Sequence, residues 1–418
     1  MKASPLTFSR PLWKDDGSSR IPFRAYTDDE IHQRELERLF YSGHWCYIGL
    51  EAEIPNAGDF KRTVVGERSV IVTRTPEGSI AVVENVCAHR GVRFCREKSG
   101  NRKDFTCPYH QWNYDLKGNL IGVPFRRGVK SEGKVQGGMP ADFDPKEHGL
   151  TQLNVAVRNG VIFASFDHTL ASLEDFLGPT ILGYFDRVFD GRKLKILGYN
   201  KQRIPGNWKL MQENIKDPYH PGLLHTWFVT FGLWRADNKS ELKMDALHRH
   251  AAMISTRGTG GKGAVTSGVT SFKEKMTLHD DRFLDVVQEP WWGGPTAVMM
   301  TVFPSVIIQQ QVNSVSTRHI QPNGRASFDF VWTHFGFEDD TEEMTRRRLR
   351  QANLFGPAGF VSADDGEVIE FSQEGFEQKP GHRTVAELGG REVGDTDHMV
   401  TETLIRGMYE YWRKVMEI

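Results

Sequence analysis

A chain of 418 residues with 39% hydrophobic and 26% charged side chains can bury a large core, which excludes a disordered or fibrous protein and implies two domains or more. Its formal charge of −1 gives no electrostatic handle for nucleic acid or an anionic membrane as partner. Four cysteines are too few for a disulfide framework, which leaves metal binding or catalysis as the better use for them.

The stretch MKASPLTFSRPLWKDDGSSR has neither the apolar core nor the cleavage site of a signal peptide. The most apolar run, 295–308, is too short and too interrupted to span a bilayer, so a cytoplasmic protein is expected. A first helix is predicted from TDDE, with Thr27 and Glu30 as a capping box and Ile31, Leu36, Leu39 and Phe40 on one face. From about Trp45 to Phe166 short β-rich runs follow, among them SVIVTR and SIAVVENV, a hairpin that ends on Cys87. Helical patterns return after residue 166, first in TLASLEDFLGPTILGYFDRVF. VIIQQQVNSVSTRHIQ and ASFDFVWTHFGF flank an Asn323-Gly324 turn, a hairpin signal, and Asp340 and Glu343 are placed to cap the next helix. Leu404, Met408, Tyr411, Trp412, Val415 and Met416 form the packing stripe of a last amphipathic helix. The expected class is α+β, a β-rich domain inserted into a larger domain with an antiparallel sheet flanked by helices. The boundaries expected are an N-terminal segment 1–44, the β-rich domain 45–166 and the larger domain 167–418.

Cys87 and His89 (CAHR), then Cys107 and His110 (CPYHQW), present two sulfur and two nitrogen ligands. A structural Cys2His2 zinc site needs this set, and so does a Rieske [2Fe–2S] centre, with two cysteines on one iron and two histidines on the other. Zinc fingers group Cys with Cys and His with His. Here each short motif supplies one of each, which suits a cluster gripped by two loops. Cys46 and Cys95 are read as buried thiols outside the site.

NWKLMQENIKDPYHPGLLH carries Asn214, Asp217, His220 and His225. Residues i and i+5 of a straight helix point about 140° apart, but Pro218 and Pro221 must distort this one and can bring both imidazoles to one side. FVSADDGEVIE adds Asp364 and Asp365, a pair that elsewhere marks a solvated turn. Two histidines and one carboxylate form a facial triad that leaves positions open for O2 on non-haem Fe(II). GTGGKG, 258–263, lacks the Ser or Thr and the strand–turn–helix of a phosphate loop and is read as a flexible loop near the site entrance.

CAHRG, CPYHQWNY, ENIKDPYHPGLLH and GPAGFVSADDGEVIE stand in the order found in the large (α) subunits of Rieske non-haem iron aromatic-ring hydroxylating oxygenases, and the chain resembles that family over nearly its whole length. The resemblance makes Cys87, His89, Cys107 and His110 the [2Fe–2S] ligands, and His220, His225 and Asp365 the mononuclear Fe(II) ligands, with Asp365 chosen over Asp364. It implies that Asp217 bridges His220 to His110 of a neighbouring subunit, because in the family electrons cross a subunit boundary in a ring of three α subunits. The spacing of Asn214 to Asp217 is one residue shorter than in naphthalene-type members, which leaves Asn214 without an assigned family position.

The implied chemistry is hydroxylation of an aromatic carboxylate by O2, with NADH electrons delivered through a reductase and a ferredoxin, and with a small β subunit completing an α3β3 assembly. The narrower resemblance points to salicylate giving gentisate. The alternatives are ring dihydroxylation of anthranilate, terephthalate or a similar acid, and a Rieske electron carrier without substrate chemistry. For a carboxylated ring, Gln309 to Gln311, Arg318 and His319 are candidate anchors. Met211, Met253 and the HTWF segment are candidate ring contacts.

Overall fold

The computed structural model describes Trp13, residues 17–261, Gly263, Val269 and residues 272–418. The chain packs as two units, Tyr41–Leu170 and the segments on either side of it, up to Phe40 and from Ala171.

The inner unit is antiparallel β throughout its described sheets. β1 (Cys46–Leu50) pairs with β12 (Val161–Ser165), which pairs with β11 (Asn154–Arg158). A four-stranded sheet has the order β4 (Ile80–Glu84), β3 (Arg68–Arg74), β2 (Asp59–Val65), β5 (Ser99–Asn101). The predicted hairpin into Cys87 is β3–β4, with Val70 opposite Glu84 and Arg74 opposite Ile80. A three-stranded sheet holds β6 (Asp104–Thr106), β7 (Asn113–Asp115) and β8 (Leu120–Gly122), and β9 (Val129–Ser131) pairs with β10 (Lys134–Gln136). Cys87 and Cys107 leave the ends of β4 and β6 and enter one core cluster with Phe94, Phe105, Trp112 and Tyr114.

The flanking unit begins with α1 (Arg24–Thr27) and α2 (Asp29–Glu35). The helix is capped one residue later than expected: the Asp28 carboxylate accepts from the Glu30 and Ile31 amides. After α3 (Leu173–Val188), a seven-stranded antiparallel sheet forms in the order β13 (Leu194–Ile204), β19 (Phe328–Phe337), β18 (Ser314–Pro322), β17 (Val306–Gln311), β16 (Ala297–Val302), β15 (Ala251–Thr256), β14 (Lys239–Met244). The Asn323-Gly324 turn joins β18 to β19 as predicted. The run before it forms two strands, because Val312 adopts a left-handed φ of 45° and folds β17 back on β18.

The helices on this unit are α4 (Trp208–Lys216), α5 (Pro221–Leu224), α6 (Thr226–Thr230), α7 (Glu342–Phe355), α8 (Phe360–Gln378) and α9 (Thr403–Met416). Thr341, not Asp340, caps α7; Asp340 is instead held by Arg348. α9 buries Leu404, Met408, Tyr411, Trp412 and Met416, as its stripe required. Glu35 accepts from the indoles of Trp208 and Trp412 and pairs with Lys209 at 2.7 Å, all of them fully buried. Such a pair persists only because every charge has a partner.

Candidate active site and metal centres

The two cysteine loops share one backbone plan. In each, the Cys amide donates to the carbonyl five residues on (Cys87 to Val92, Cys107 to Trp112) and the Cys carbonyl accepts from the amide four residues on (Gly91, Gln111). The fourth residue after the Cys is left-handed in both, Gly91 at φ 72° and Gln111 at φ 56°. Glycine suits that position, whereas Gln111 carries strain that the surrounding bonds must hold.

Both thiols are buried, while His89 is exposed and His110 half-buried. The imidazoles stand 4.6 Å apart between centroids, and His89 stacks flat on Trp112. Tyr114 brings its hydroxyl 3.2 Å from Cys87 Sγ. Burial raises the Cys107 thiol, and backbone amides of Tyr109 and His110 act against it. Two inward sulfurs and two outward imidazoles, set on matched loops with amides aimed at sulfur, fit a cluster with one buried and one surface iron.

The second centre is assembled by proline. The helix α4 ends at Lys216 because Asp217 precedes Pro218 and turns extended (φ −96°, ψ 100°). His220 then caps α5, whose first residue is Pro221, and His225 lies between α5 and α6. The helix is therefore broken rather than distorted. Gly222, between the histidines, allows the Trp234 indole to lie across α5, since a Cβ there would sit 2.9 Å from the ring.

Asp365 comes from α8, so the ADDG stretch is helical and not a solvated turn. Ligand atoms of His220, His225 and Asp365 lie within 4.8 Å of one another. Asp365 Oδ1 is 3.5 Å from His220 Nε2 and 3.2 Å from His225 Nε2. The outer nitrogens differ: His225 Nδ1 is hydrogen-bonded to Asp364 at 3.1 Å, whereas His220 Nδ1 lies 3.4 Å from Asp217 at ion-pair distance without a hydrogen bond. Asn214 donates its amide to Asp365 Oδ1 at 3.0 Å. Two inward imidazole edges, one buried carboxylate and a second carboxylate beside each ring fit a mononuclear metal of the facial-triad type. Burial lowers the His220 imidazole, but Asp217 and Asp365 outweigh it and push it up to about 9. Burial likewise raises Asp365, and the two histidines overcome it to hold the carboxyl well below the usual range.

A cavity opens over these three residues, and the large sheet supplies one wall. By strand alternation and register, Met253 and Ser255 of β15, Ala297 and Met299 of β16, Gln311 of β17 and Arg318 of β18 share that face. Phe228 and Trp234 line the same cavity. Arg318 is buried, its guanidinium 3.7 Å over the Trp332 ring, and its Nε has no hydrogen-bond partner. Burial pulls Arg318 down to about 9, which still leaves it cationic at neutral pH. An unpartnered buried donor in a largely apolar cavity is a place for an anionic group.

Of the other candidate contacts, Gln310 is tied to Arg187 and to the Thr296 and Val312 carbonyls, His319 meets Gln321, and Met211 is core. Cys46 and Cys95 are buried, and neither forms a disulfide. The glycine-rich loop is described only in part: Gly258 and Gly260 donate to Asn238 and Asp237, and Lys262 lies outside the described residues. The role of Asp364 escaped the sequence, because its partner His225 lies 139 residues away.

The fold and both sites define an iron–sulfur oxygenase. The Ring hydroxylating alpha subunit (catalytic domain) family matches residues 190–418, and the Rieske [2Fe-2S] domain family matches 44–132. The chain belongs to the Rieske-type ring-hydroxylating oxygenase α subunits. It is 77% identical to the salicylate 5-hydroxylase large oxygenase component of Ralstonia sp, over 99% of this chain and 98% of that one. It is 41% identical to the anthranilate 1,2-dioxygenase large subunit of Burkholderia cepacia, over 99% of each. Among solved structures, naphthalene 1,2-dioxygenase from Rhodococcus sp. bound to indole shares the fold, with a TM-score of 0.76 at 23% identity over 95% of this chain and 94% of that one.

The chain is thus the oxygenase component of a multi-protein system. It has a [2Fe–2S] Rieske domain and a mononuclear-iron catalytic domain, and it takes NADH electrons through a reductase and a ferredoxin. No described helix is long and apolar enough to cross a membrane.

Proposed function

We propose that this component hydroxylates salicylate to gentisate, consuming one O2 and one NADH with a proton and releasing water and NAD+. The observation that carries this is the 77% identity, end to end, with a salicylate 5-hydroxylase large component. The cavity supports it, because an aromatic acid matches its apolar wall and the buried Arg318 guanidinium. Arg318 takes the substrate carboxylate and Gln311 offers a neutral polar contact beside it. Met253, Met299 and Phe228 enclose the ring and exclude water, which strengthens the ion pair.

His220, His225 and Asp365 hold the mononuclear iron, and Cys87, Cys107, His89 and His110 hold the cluster. When bound, these groups supply O2 activation and one-electron relay. Asp364 fixes the tautomer that turns His225 Nε2 toward the metal, Asp217 stands beside His220 Nδ1, and Asn214 steadies the Asp365 carboxylate. Three α subunits with three small β subunits complete the assembly, and Asp217 faces His110 of the partner subunit there. The domain limits 45–166 and 167–418 separate the two centres.

A dihydroxylating enzyme for anthranilate is the weaker reading at 41% identity. A pure electron carrier leaves the catalytic domain of 190–418 without work.

The test is turnover of the purified oxygenase with ferredoxin, reductase and NADH on salicylate, anthranilate and terephthalate separately. Gentisate from salicylate supports the reading, and a dihydrodiol or catechol from another acid with salicylate untouched overturns it.

A further inference from the structure

A second cavity, of about 230 Å³, is lined from α4, α8, α9 and the segment 384–386. Asn214 and His220 line both this cavity and the substrate cavity, so at those positions one side chain separates the two chambers. Their chemistry differs. The titratable groups lining the substrate cavity are His220, His225, Asp365 and Arg318, which the reading above commits to the metal and to the substrate carboxylate. The second cavity brings Glu213, Asp217 and Glu402. Glu402 already accepts from the Leu388 amide at 2.8 Å, and Asp217 stands beside His220. Glu213 is half-buried on α4; Tyr409 of α9 donates to it, and the Tyr409 oxygen lies 3.0 Å from that of Tyr26 on α1. Desolvation pushes the Glu213 carboxyl up to about 7, with Asp217 adding to it, while Tyr409, Tyr26 and Lys209 act the other way. Next along the helix, Asn214 gives its amide to Asp365, and its Oδ1 has no hydrogen-bond partner. A polar chamber of this size has room for several waters at about 30 Å³ each, and Asn214 Oδ1 is a seat for one at the dividing wall.

We propose that Glu213 is the proton store of the hydroxylation, passing protons from the second cavity across Asn214 to the oxygen atom that leaves as water. The inference rests on the hydroxylation reading above and adds the proton source that the reaction needs. The balance is explicit: a ring C–H, O2, two electrons and two protons give a ring C–OH and one water. NADH supplies the electrons through the reductase and the ferredoxin, whereas the protons must come from the solvent side of an apolar ring pocket. Glu213 gives one proton, is reprotonated by water in its own cavity, and gives the second. A general acid works best when its pKa lies near the operating pH, which is where this carboxyl stands. The store is full well below pH 7 and empties as the pH rises through that value.

The experiment is single turnover of the assembled holoenzyme, reduced beforehand with dithionite and mixed with salicylate and O2, with gentisate quantified after quenching across about pH 6 to 8.5. The parent should slow as the pH rises through about 7. Glu213→Gln should form gentisate on the order of 100-fold more slowly at neutral pH, with a flat pH profile, and Glu213→Asp should recover part of the rate. Ala386→Leu, which keeps every acid and fills the second cavity, should also slow product formation and guards against a folding defect in the first variant. Infrared difference titration reads the acid without turnover: a protonated-carboxyl band should fade through about pH 7 in the parent and be missing from Glu213→Gln. Parental rates and profiles in Glu213→Gln and Ala386→Leu would overturn the proposal, as would a slow Glu213→Gln that keeps the parental pH profile. Absence of gentisate from the reduced parent sinks the substrate reading instead. The proton store then stands or falls on the infrared band and on the pH profile with whichever aromatic acid the parent oxidises.

Discussion

His225 is held on both edges by consecutive acids, Asp364 at 3.1 Å from Nδ1 and Asp365 at 3.2 Å from Nε2. One turn of α8 thus supplies the proposed metal ligand and the group that orients the proposed ligand beside it.

Loss of the outer contact should loosen the metal. Asp364→Ala is expected to weaken iron binding about 10- to 100-fold while leaving the visible cluster spectrum unchanged. Asp364→Asn, which keeps an acceptor oxygen, should fall between. Chelator competition followed by iron analysis measures both.

Asp217 touches His220 from outside the triad, so its removal should separate loading from turnover. Asp217→Ala is expected to retain iron and cluster by metal analysis and by electron paramagnetic resonance, yet to form no product. Normal gentisate formation in that variant would remove Asp217 from the path between the centres.

Arg318→Gln tests the carboxylate anchor. A hydrogen bond to a charged group is worth about 1.5–3 kcal/mol, so kcat/KM for salicylate should fall on the order of 10- to 100-fold. Phenol, which has no carboxylate, should be processed equally slowly by both proteins. An unchanged KM for salicylate would show that the acid binds elsewhere.

Glu213 provides a pH test of stability. It is half-buried, and desolvation pushes its carboxyl up to about 7, although Tyr409 and Tyr26 pull the other way. An unfolded Glu titrates near 4.5, so between these values the folded chain keeps a proton that the unfolded chain has lost. The stability this group contributes is full below pH 4.5 and is lost as pH rises through 7, on the order of 3 kcal/mol in all. Relative to Glu213→Gln, the parent should therefore lose Tm as pH rises from 5 to 7.5. A constant offset across that range would refute the shift.

Much of this was legible in the chain because the strongest signals are local. CAHR and CPYHQW place their candidate ligands within a few residues, and Asn323-Gly324 names its own turn. The errors have physical causes. Thr27 and Asp340 are sound cap types, but Asp28 and Thr341 had the backbone geometry, and Asp340 was drawn away by Arg348. Val312 is β-branched, so a left-handed turn there goes against propensity and is imposed by the strand pairing around it. Asp364 and Asn214 act on partners far along the sequence, and only the fold brings them together.

The chemistry and the selectivity stand on different parts of the catalytic domain. The triad rides on helices and the proline-bound segment between them, whereas the cavity wall is written into alternate positions of four hydrogen-bonded strands. A lineage can therefore exchange Met253, Ser255, Met299 or Gln311, one side chain at a time, and change the ring it accepts while the iron stays put. Substrate range is the evolvable half of this enzyme, and a library confined to those strand positions would explore it without spending its variants on inactive proteins.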